Sequence, residues 1–409
     1  MPSRPVHVVS TDGSAASADA LSGSLGRALD GTGPAVLPLG PGDPAPDPAL
    51  TEPVDDDVAV LVATSGSTGT PKAVLLGADA LRASAAATRT RLAERTGTGG
   101  AGRRWLLPLP AHHVAGVQVL LRSQWEGDPA AVLDLRAGFR PDALAEAVVE
   151  AAATGRPVSV TSLVPTQLVR LLDDAGAGLE ALRGLDAVLL GGAAAPEALL
   201  ARARSAGIVV VTTYGMSETC GGCVYDGVPL DGVRVDIEEP AADGSGRIRL
   251  GGATLARGYR GPDPGTADPG TADAHASAFA PDGWFRTSDL GRRRDDGRLE
   301  VLGRADDVIV SGGENVAPAL VERALQAQNG VREACVVGIP DAEWGARVVA
   351  VVTGEPSPGD GPLDPDALRR AVSPGLGHAT PREIRVVATL PVRGIGKPDR
   401  EAVRALFAG

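Results

Sequence analysis

Two lysines, Lys72 and Lys397, stand in a chain of 409 residues in which Lys and Arg together number 39. Elsewhere the long cationic side chain is always arginine. Codon bias accounts for the arginines but not for the two positions that kept lysine. An ammonium is a compact point charge on a flexible stem, which a planar guanidinium does not mimic at a crowded phosphate. Around the first lysine the chain reads Ser65-Gly66-Ser67-Thr68-Gly69-Thr70-Pro71-Lys72. Gly66 and Gly69 let the backbone approach an oxyanion closely. Backbone N–H groups and the hydroxyls of Ser65, Ser67, Thr68 and Thr70 then wrap phosphate oxygens. No Gly-Lys-Ser/Thr closes the loop, so it is not a Walker A sequence. A Ser/Thr/Gly loop alone is more often a plain turn. The apolar run Val58 to Ala63 before it, read as a buried strand, and the rare lysine after it favour a nucleotide-phosphate loop. Lys397 follows a glycine loop, Gly394-Ile395-Gly396. A cation presented there suits a reacting phosphoryl centre; the plainer alternative is a solvated C-terminal lysine.

Three further segments carry chemistry. In Thr213 to Thr219, Tyr214 offers a flat face for a purine and Glu218 is a hard oxygen ligand for Mg2+ bridging phosphates. By itself that motif reads more readily as a strand-end tyrosine and a solvated glutamate. In Thr287 to Gly291, Asp289 can accept both ribose hydroxyls, or can cap a turn. Gly303 to Asp307 precedes Ser311 to Asn315, and the pair Gly312 and Gly313 suits a loop that slides past a ligand, a hinge, or a simple hairpin. His112 and His113 have no cysteine or carboxylate cluster to make a zinc site. Cys220 and Cys223 form a C-x-x-C without a second pair, so zinc is not expected there either.

The elements that must position these residues alternate. Strand and helix signals follow one another from Val132 to Thr212: strands at Val132 to Leu135, Val158 to Ser162, Ala187 to Leu190 and Ile208 to Thr212, helices at Pro141 to Ala153, Pro165 to Leu172 and Pro196 to Ala206. This predicts an α/β fold with helix-covered, mostly parallel sheets. Ligands in such folds sit at the carboxyl ends of strands, and the loops at Thr64, Gly191 and Thr213 all follow strands. Residues 1–57, rich in Gly, Pro, Ser and Asp, read as a reduced, weakly structured opening segment. After Pro229 short strands with glycine turns suggest a small β-rich subdomain. Pro262 to Pro281, with a tandem Pro-Gly-Thr-Ala-Asp, reads as a surface insertion. Residues 306–409 read as a smaller C-terminal α+β domain, joined by a hinge to an N-terminal domain of residues 1–305.

Composition narrows the function classes. A net charge of −12 argues against generic nucleic-acid binding, while a small anion needs only a few local donors. No apolar run is long enough for a membrane span and no secretory signal is visible. Three cysteines do not make a disulfide framework, which points to the cytoplasm.

Taken in order, the five segments resemble the superfamily of acyl- and aryl-CoA synthetases, adenylation domains and luciferases, over roughly residues 58–409. The resemblance implies ATP, Mg2+ and coenzyme A. It implies that Ser65 to Lys72 is the phosphate loop, with Thr68 and Glu218 on the metal. Gly192, Ala193, Tyr214, Gly215 and Thr219 fall in the nucleotide-binding segments, Asp289 meets the ribose, and Arg304 reaches the nucleotide. Asp306 matches the hinge, Gly312 and Gly313 the border of the thiol tunnel, and Lys397 the lysine that drives adenylation. The stretch Leu107 to Gln118, with Arg122 following, resembles the acyl-pocket helix of the o-succinylbenzoate–CoA ligases of menaquinone synthesis. There Arg122 would hold the second carboxylate of an aromatic dianion, His113 would gate the pocket, and Ser162, Gly221 and Gly222 would line it. Another aryl- or acyl-CoA ligase, or an enzyme loading a carrier-protein thiol, fits the same motifs, as does a homodimer.

Overall fold

The computed structural model describes residues 3–65, 71–97, 102–261, 278–354, 361–393 and 397–407. The loop residues Gly66 to Thr70, residues 262–277 of the insertion and Gly394 to Gly396 lie outside them. The chain divides into two compact units, one of Met1–Ala195, Arg202–Asp236 and Arg249–Arg286, the other of Pro196–Ala201, Ile237–Ile248 and Thr287–Gly409. Among the described residues no helix is long and apolar enough to cross a membrane.

The opening segment is fully built, unlike the weakly structured stretch its composition suggests. Strands Val6–Ser10 and Ala35–Leu39 run parallel to each other, and the second runs parallel to strand Val58–Ser65. Helix Ala15–Leu29 lies between them in sequence and is capped by Ser14, whose side chain accepts the Ser17 N–H. Ala18, Leu21, Leu25 and Ala28 are buried at helical spacing. Full burial of Leu21 and Leu25 contributes about 2 kcal/mol each. The Gly and Ser residues around them obscure this stripe in a reading by composition. Arg4 closes the segment. The residue is 6% exposed, and its guanidinium donates to the carbonyls of Ala28 (3.0 Å), Val58 (3.2 Å), Asp56 (3.4 Å) and Gly33.

After residues 66–70 the chain returns as strand Pro71–Gly77, antiparallel to Val58–Ser65, with Lys72 opposite Thr64. Strand Gly258–Arg260 pairs on the other side of Pro71–Gly77. The second sheet of this unit has the spatial order Val228–Pro229, Gly221–Tyr225, Val210–Met216, Ala187–Leu190, Val160–Leu163, Trp105–Leu107, Ala131–Val132. From Val210–Met216 onward its pairs are parallel, whereas Gly221–Tyr225 pairs antiparallel at one edge. This is the mostly parallel sheet that the alternation predicts.

In the other unit, strands Val331–Asp341 and Gly345–Gly354 form a long antiparallel hairpin, with Glu383–Val386 parallel to the second. Alternate residues serve two cores, as the period of a strand requires. Val336, Val348, Ala350 and Val352 pack with Val321 and Leu325 of helix Pro318–Gln326 and with Leu368 and Val372 of helix Pro365–Leu376. Cys335, Val337, Val349 and Val351 pack with Leu390, Val403 and Phe407 of the C-terminal segment. The sheet thus anchors the segment that carries Lys397.

Replacing Arg4 by Met strips a charged donor from four carbonyls, at least two of them buried. The expected cost is about 3 kcal/mol, read as a lower urea midpoint at unchanged slope.

Candidate active site

Strands Val160–Leu163, Ala187–Leu190 and Val210–Met216 are in register with Leu163, Leu190 and Thr212 side by side. They therefore present their carboxyl ends together, where α/β folds bind ligands. Gly192 and Ala193 are exposed just beyond Leu190. Tyr214 differs from its expected place in a loop, because the strand continues through it to Met216 and pairs with Val224 of the returning strand. At Gly215 the register slips, and a Cβ there would collide with the Gly221 carbonyl, so only glycine permits this approach. A single 3-10 turn, Ser217–Thr219, and a left-handed Cys220 reverse the chain. Thr219 is fully buried; its hydroxyl accepts the Met216 N–H (3.0 Å) and donates to the Gly221 carbonyl (2.7 Å). That hydroxyl shapes the turn instead of facing a ligand. Burial pushes the Cys223 thiol up to about 12 and that of Cys220 higher still, so both are inert packing groups.

Glu218 and Lys72 come together around a residue that the sequence reading did not single out. Tyr259 donates its hydroxyl to Glu218 Oε1 at 2.8 Å, and Lys72 Nζ stands 3.8 Å from the centroid of the same ring. The ring packs edge-on against Phe279 at 5.3 Å. Burial, and then the Glu218 charge, pushes the phenol far above its ordinary range, so it stays a donor. One signal was available: the chain holds three tyrosines in 409 residues, and this one lies just before the insertion.

The residues expected on the acyl side lie on and around helix Val114–Trp125, whose N-cap position is His113. Gln118 and Arg122, four residues apart, share a face of it and are both buried. Gln118 donates to the Cys220 carbonyl at 2.7 Å. Arg122 is 6% exposed, its guanidinium lies 5.3 Å from the Trp105 ring centroid, and its Nε has no hydrogen-bond partner among the described residues. Ser162 is buried in its strand. The open side of Gly222 faces the Tyr225 ring, and that of Gly221 faces Gln118. His112 and His113 stack at 4.3 Å. Burial lowers the His112 pKa, with Asp43 pulling the other way.

In the other unit Asp289 and Arg304 are cross-strand partners. Arg304 Nη1 lies 3.9 Å from Asp289 Oδ1, and Nη2 lies 2.6 Å from Asp306 Oδ2. Asp306 sits in the one-turn helix Ala305–Asp307, whose Asp307 pairs with Arg400 at 3.2 Å. Gly312 has a φ of +61°, and a Cβ on it would meet the Trp344 ring at 2.6 Å. A cavity of about 880 Å3 is lined by Asp306, Asp307, Gly312, Gly313, Trp344 and Arg404, among others. The backbone of Lys397 pairs with Arg393.

Two family models match the chain: the AMP-binding enzyme over residues 3–260 and the AMP-binding enzyme C-terminal domain over residues 320–397. The chain is 46% identical over 392 residues to a probable 2-succinylbenzoate–CoA ligase of Mycobacterium tuberculosis, covering 94% of each. It is similar in structure to the o-succinylbenzoate CoA synthetase of Bacillus subtilis in complex with its acyl-adenylate intermediate, with a TM-score of 0.68 and 28% identity over 90% of this chain and 74% of that one. An amide bond synthetase of Marinactinospora thermotolerans gives a TM-score of 0.72 at 29% identity, covering 98% and 80%.

Because the His112 pKa is lowered in the fold, protonation favours the unfolded chain. Its contribution is complete above pH 6.5, the ordinary value, and is lost as pH falls from there toward the lowered value. His112→Gln should flatten the acid-side loss by no more than about 1.4 kcal/mol per pH unit; urea midpoints at pH 7.5 and 5.5 measure it.

Proposed function

The chain belongs to the AMP-binding enzyme family, and from that premise we propose that it activates o-succinylbenzoate with ATP and passes the acyl group to coenzyme A, a step of menaquinone biosynthesis. The observation that carries the substrate is Arg122, a buried guanidinium on the acyl-side helix whose Nε lacks a partner. A buried cation left short of hydrogen bonds is costly. The free carboxylate of a dicarboxylic acid supplies the missing charge and acceptors.

In the first half-reaction the other carboxylate of the acid attacks the α-phosphorus of ATP, the bond from that phosphorus to pyrophosphate breaks, and an acyl-adenylate forms. No general base is required, because a carboxylate is ionised at neutral pH. The difficulty is charge: an anion approaches a polyanion. Lys72 supplies one cation beside the phosphate loop. Glu218 and Thr68 would hold Mg2+, and a half-buried carboxylate with one oxygen outside the Tyr259 hydrogen bond fits an ion that takes one or two carboxylates plus substrate phosphates. When bound, Mg2+ spreads the charge of the phosphates. Asp289 would take the ribose hydroxyls, with Arg304 holding its carboxylate in place. Lys397 would meet the charge that moves as pyrophosphate departs.

In the second half-reaction the thiol sulfur attacks the acyl carbon, the thiol proton is released, and AMP leaves. We read residues 306–409 as the moving part, turning about Asp306, with the Gly312 and Gly313 face bringing the thiol. The reading places the enzyme in the cytoplasm.

Pyrophosphate release across a panel of aromatic and aliphatic acids tests the activity itself. Lys397→Ala should slow adenylation by roughly two to three orders of magnitude while still converting preformed acyl-adenylate to thioester; equal loss in both halves would count against the moving domain. Arg122→Met should raise KM for o-succinylbenzoate about a hundredfold and leave KM for benzoate nearly unchanged. A variant that treats the two acids alike removes the basis for the named substrate.

A further inference from the structure

We infer that Tyr259 is a positioning residue for the metal–nucleotide site, holding the Glu218 carboxylate by its hydroxyl and the Lys72 ammonium on its ring. The inference rests on the reading of Glu218 as the Mg2+ ligand and Lys72 as the phosphate cation, and it assigns the device that orients both.

The backbone makes Tyr259 a bridge between the two elements. Strand Gly258–Arg260 is antiparallel to Pro71–Gly77, with Tyr259 opposite Val74 and Arg260 opposite Ala73, the neighbour of Lys72. Just upstream, the Ala256 N–H donates to the Glu218 carbonyl at 2.9 Å, and the Arg257 N–H donates to the Leu75 carbonyl at 2.8 Å. Flanking arginines fasten this segment. Arg257 reaches Asp57 and Asp79 at 2.7 Å each, and Arg260 donates to the Glu52 carbonyl at 2.7 Å. On the segment so tied, the Tyr259 ring packs edge-on against Phe279.

The chemistry at the two ends of the ring differs. A hydroxyl donor on one carboxylate oxygen fixes the plane of the carboxylate and leaves the second oxygen for a cation. The ring face attracts the ammonium through its quadrupole without consuming any of its three donors.

Calorimetric titration of ATP, without acid or coenzyme A, tests this in two arms: ATP with EDTA, and ATP with excess Mg2+. The ratio of the two dissociation constants is the gain due to metal. Tyr259→Phe keeps the ring for Lys72 and removes only the donor. Its expected result is a gain about tenfold smaller than in the parent protein, with the affinity for metal-free ATP unchanged. Tyr259→Leu should in addition weaken metal-free ATP, because Lys72 loses its platform; a Leu variant that fails to fold leaves the Phe variant to decide. An unchanged or larger gain in Tyr259→Phe overturns the inference. So does a parallel loss in both arms, which is what a merely structural role produces. A parent protein that shows no gain from Mg2+ but releases pyrophosphate removes the premise about Glu218 and the inference with it. One that releases no pyrophosphate with any acid refutes the proposed reaction instead.

Discussion

At Gly215 the backbone of one strand runs against the Gly221 carbonyl with no space for a side chain, and the turn that carries Glu218 is built on that contact. The approach lets the chain reverse through Ser217–Thr219 and a left-handed Cys220. The reversal places Tyr214 and Glu218 at the end of the parallel strands. It is secured from outside as well as from within. The Cys220 carbonyl accepts hydrogen bonds from Gln118 at 2.7 Å and from Ser84 at 3.1 Å, so helices Ala78–Thr96 and Val114–Trp125 are both tied to one turn. Gln118 is also four residues from Arg122. Gln118 thus ties the helix that carries Arg122 to the turn that carries Glu218.

The second theme is charge management. A chain of net charge −12 gathers anionic reactants, so local donors must outweigh the overall field. Within its own unit each candidate cation described has a neighbour: Lys72 an aromatic face and Arg122 the Trp105 ring in one, Arg304 the carboxylates of Asp289 and Asp306 in the other. Contact with a ring uses the face of the aromatic system and not a hydrogen bond, whereas holding by carboxylates lowers net charge and fixes direction. The first arrangement suits a residue that must bind phosphate or carboxylate. The second suits one that keeps the Asp289 and Asp306 carboxylates in place.

Much of the α/β fold was legible because strand and helix periods are local. Runs such as Ala187–Leu190 are wholly apolar, as strands buried on both faces require. The opening segment was not legible by composition, since Gly, Ser and Asp mask the Leu21 and Leu25 stripe, and the Arg4 cluster joins residues up to 54 positions apart. The charged candidate residues stand out in the sequence by type: a lysine in an arginine-rich chain, an acid in a Ser/Thr turn. Their partners did not. Tyr259 lies 41 residues from Glu218 and in a different strand from Lys72, so only tertiary structure unites them. Tyr214 was expected after its strand ended; pairing with Val224 extends the strand through it, a tertiary gain that local propensity does not contain.

The bias toward arginine, with two exceptions, now has a structural counterpart. Arg400 reaches Asp307 at 3.2 Å, Glu322 at 2.8 Å and the Val336 carbonyl at 2.6 Å. A fork of five donors serves three directions at once, which one ammonium does not. Such positions favour arginine for structural reasons, and Arg4 with its four carbonyls is another. Lys72 stands in the opposite situation. Its ammonium rests end-on over a ring, and a guanidinium there would stack flat and spread its charge along the aromatic face. The two cations carry the same sign but differ in shape, and at position 72 it is the compact one that meets the Tyr259 ring.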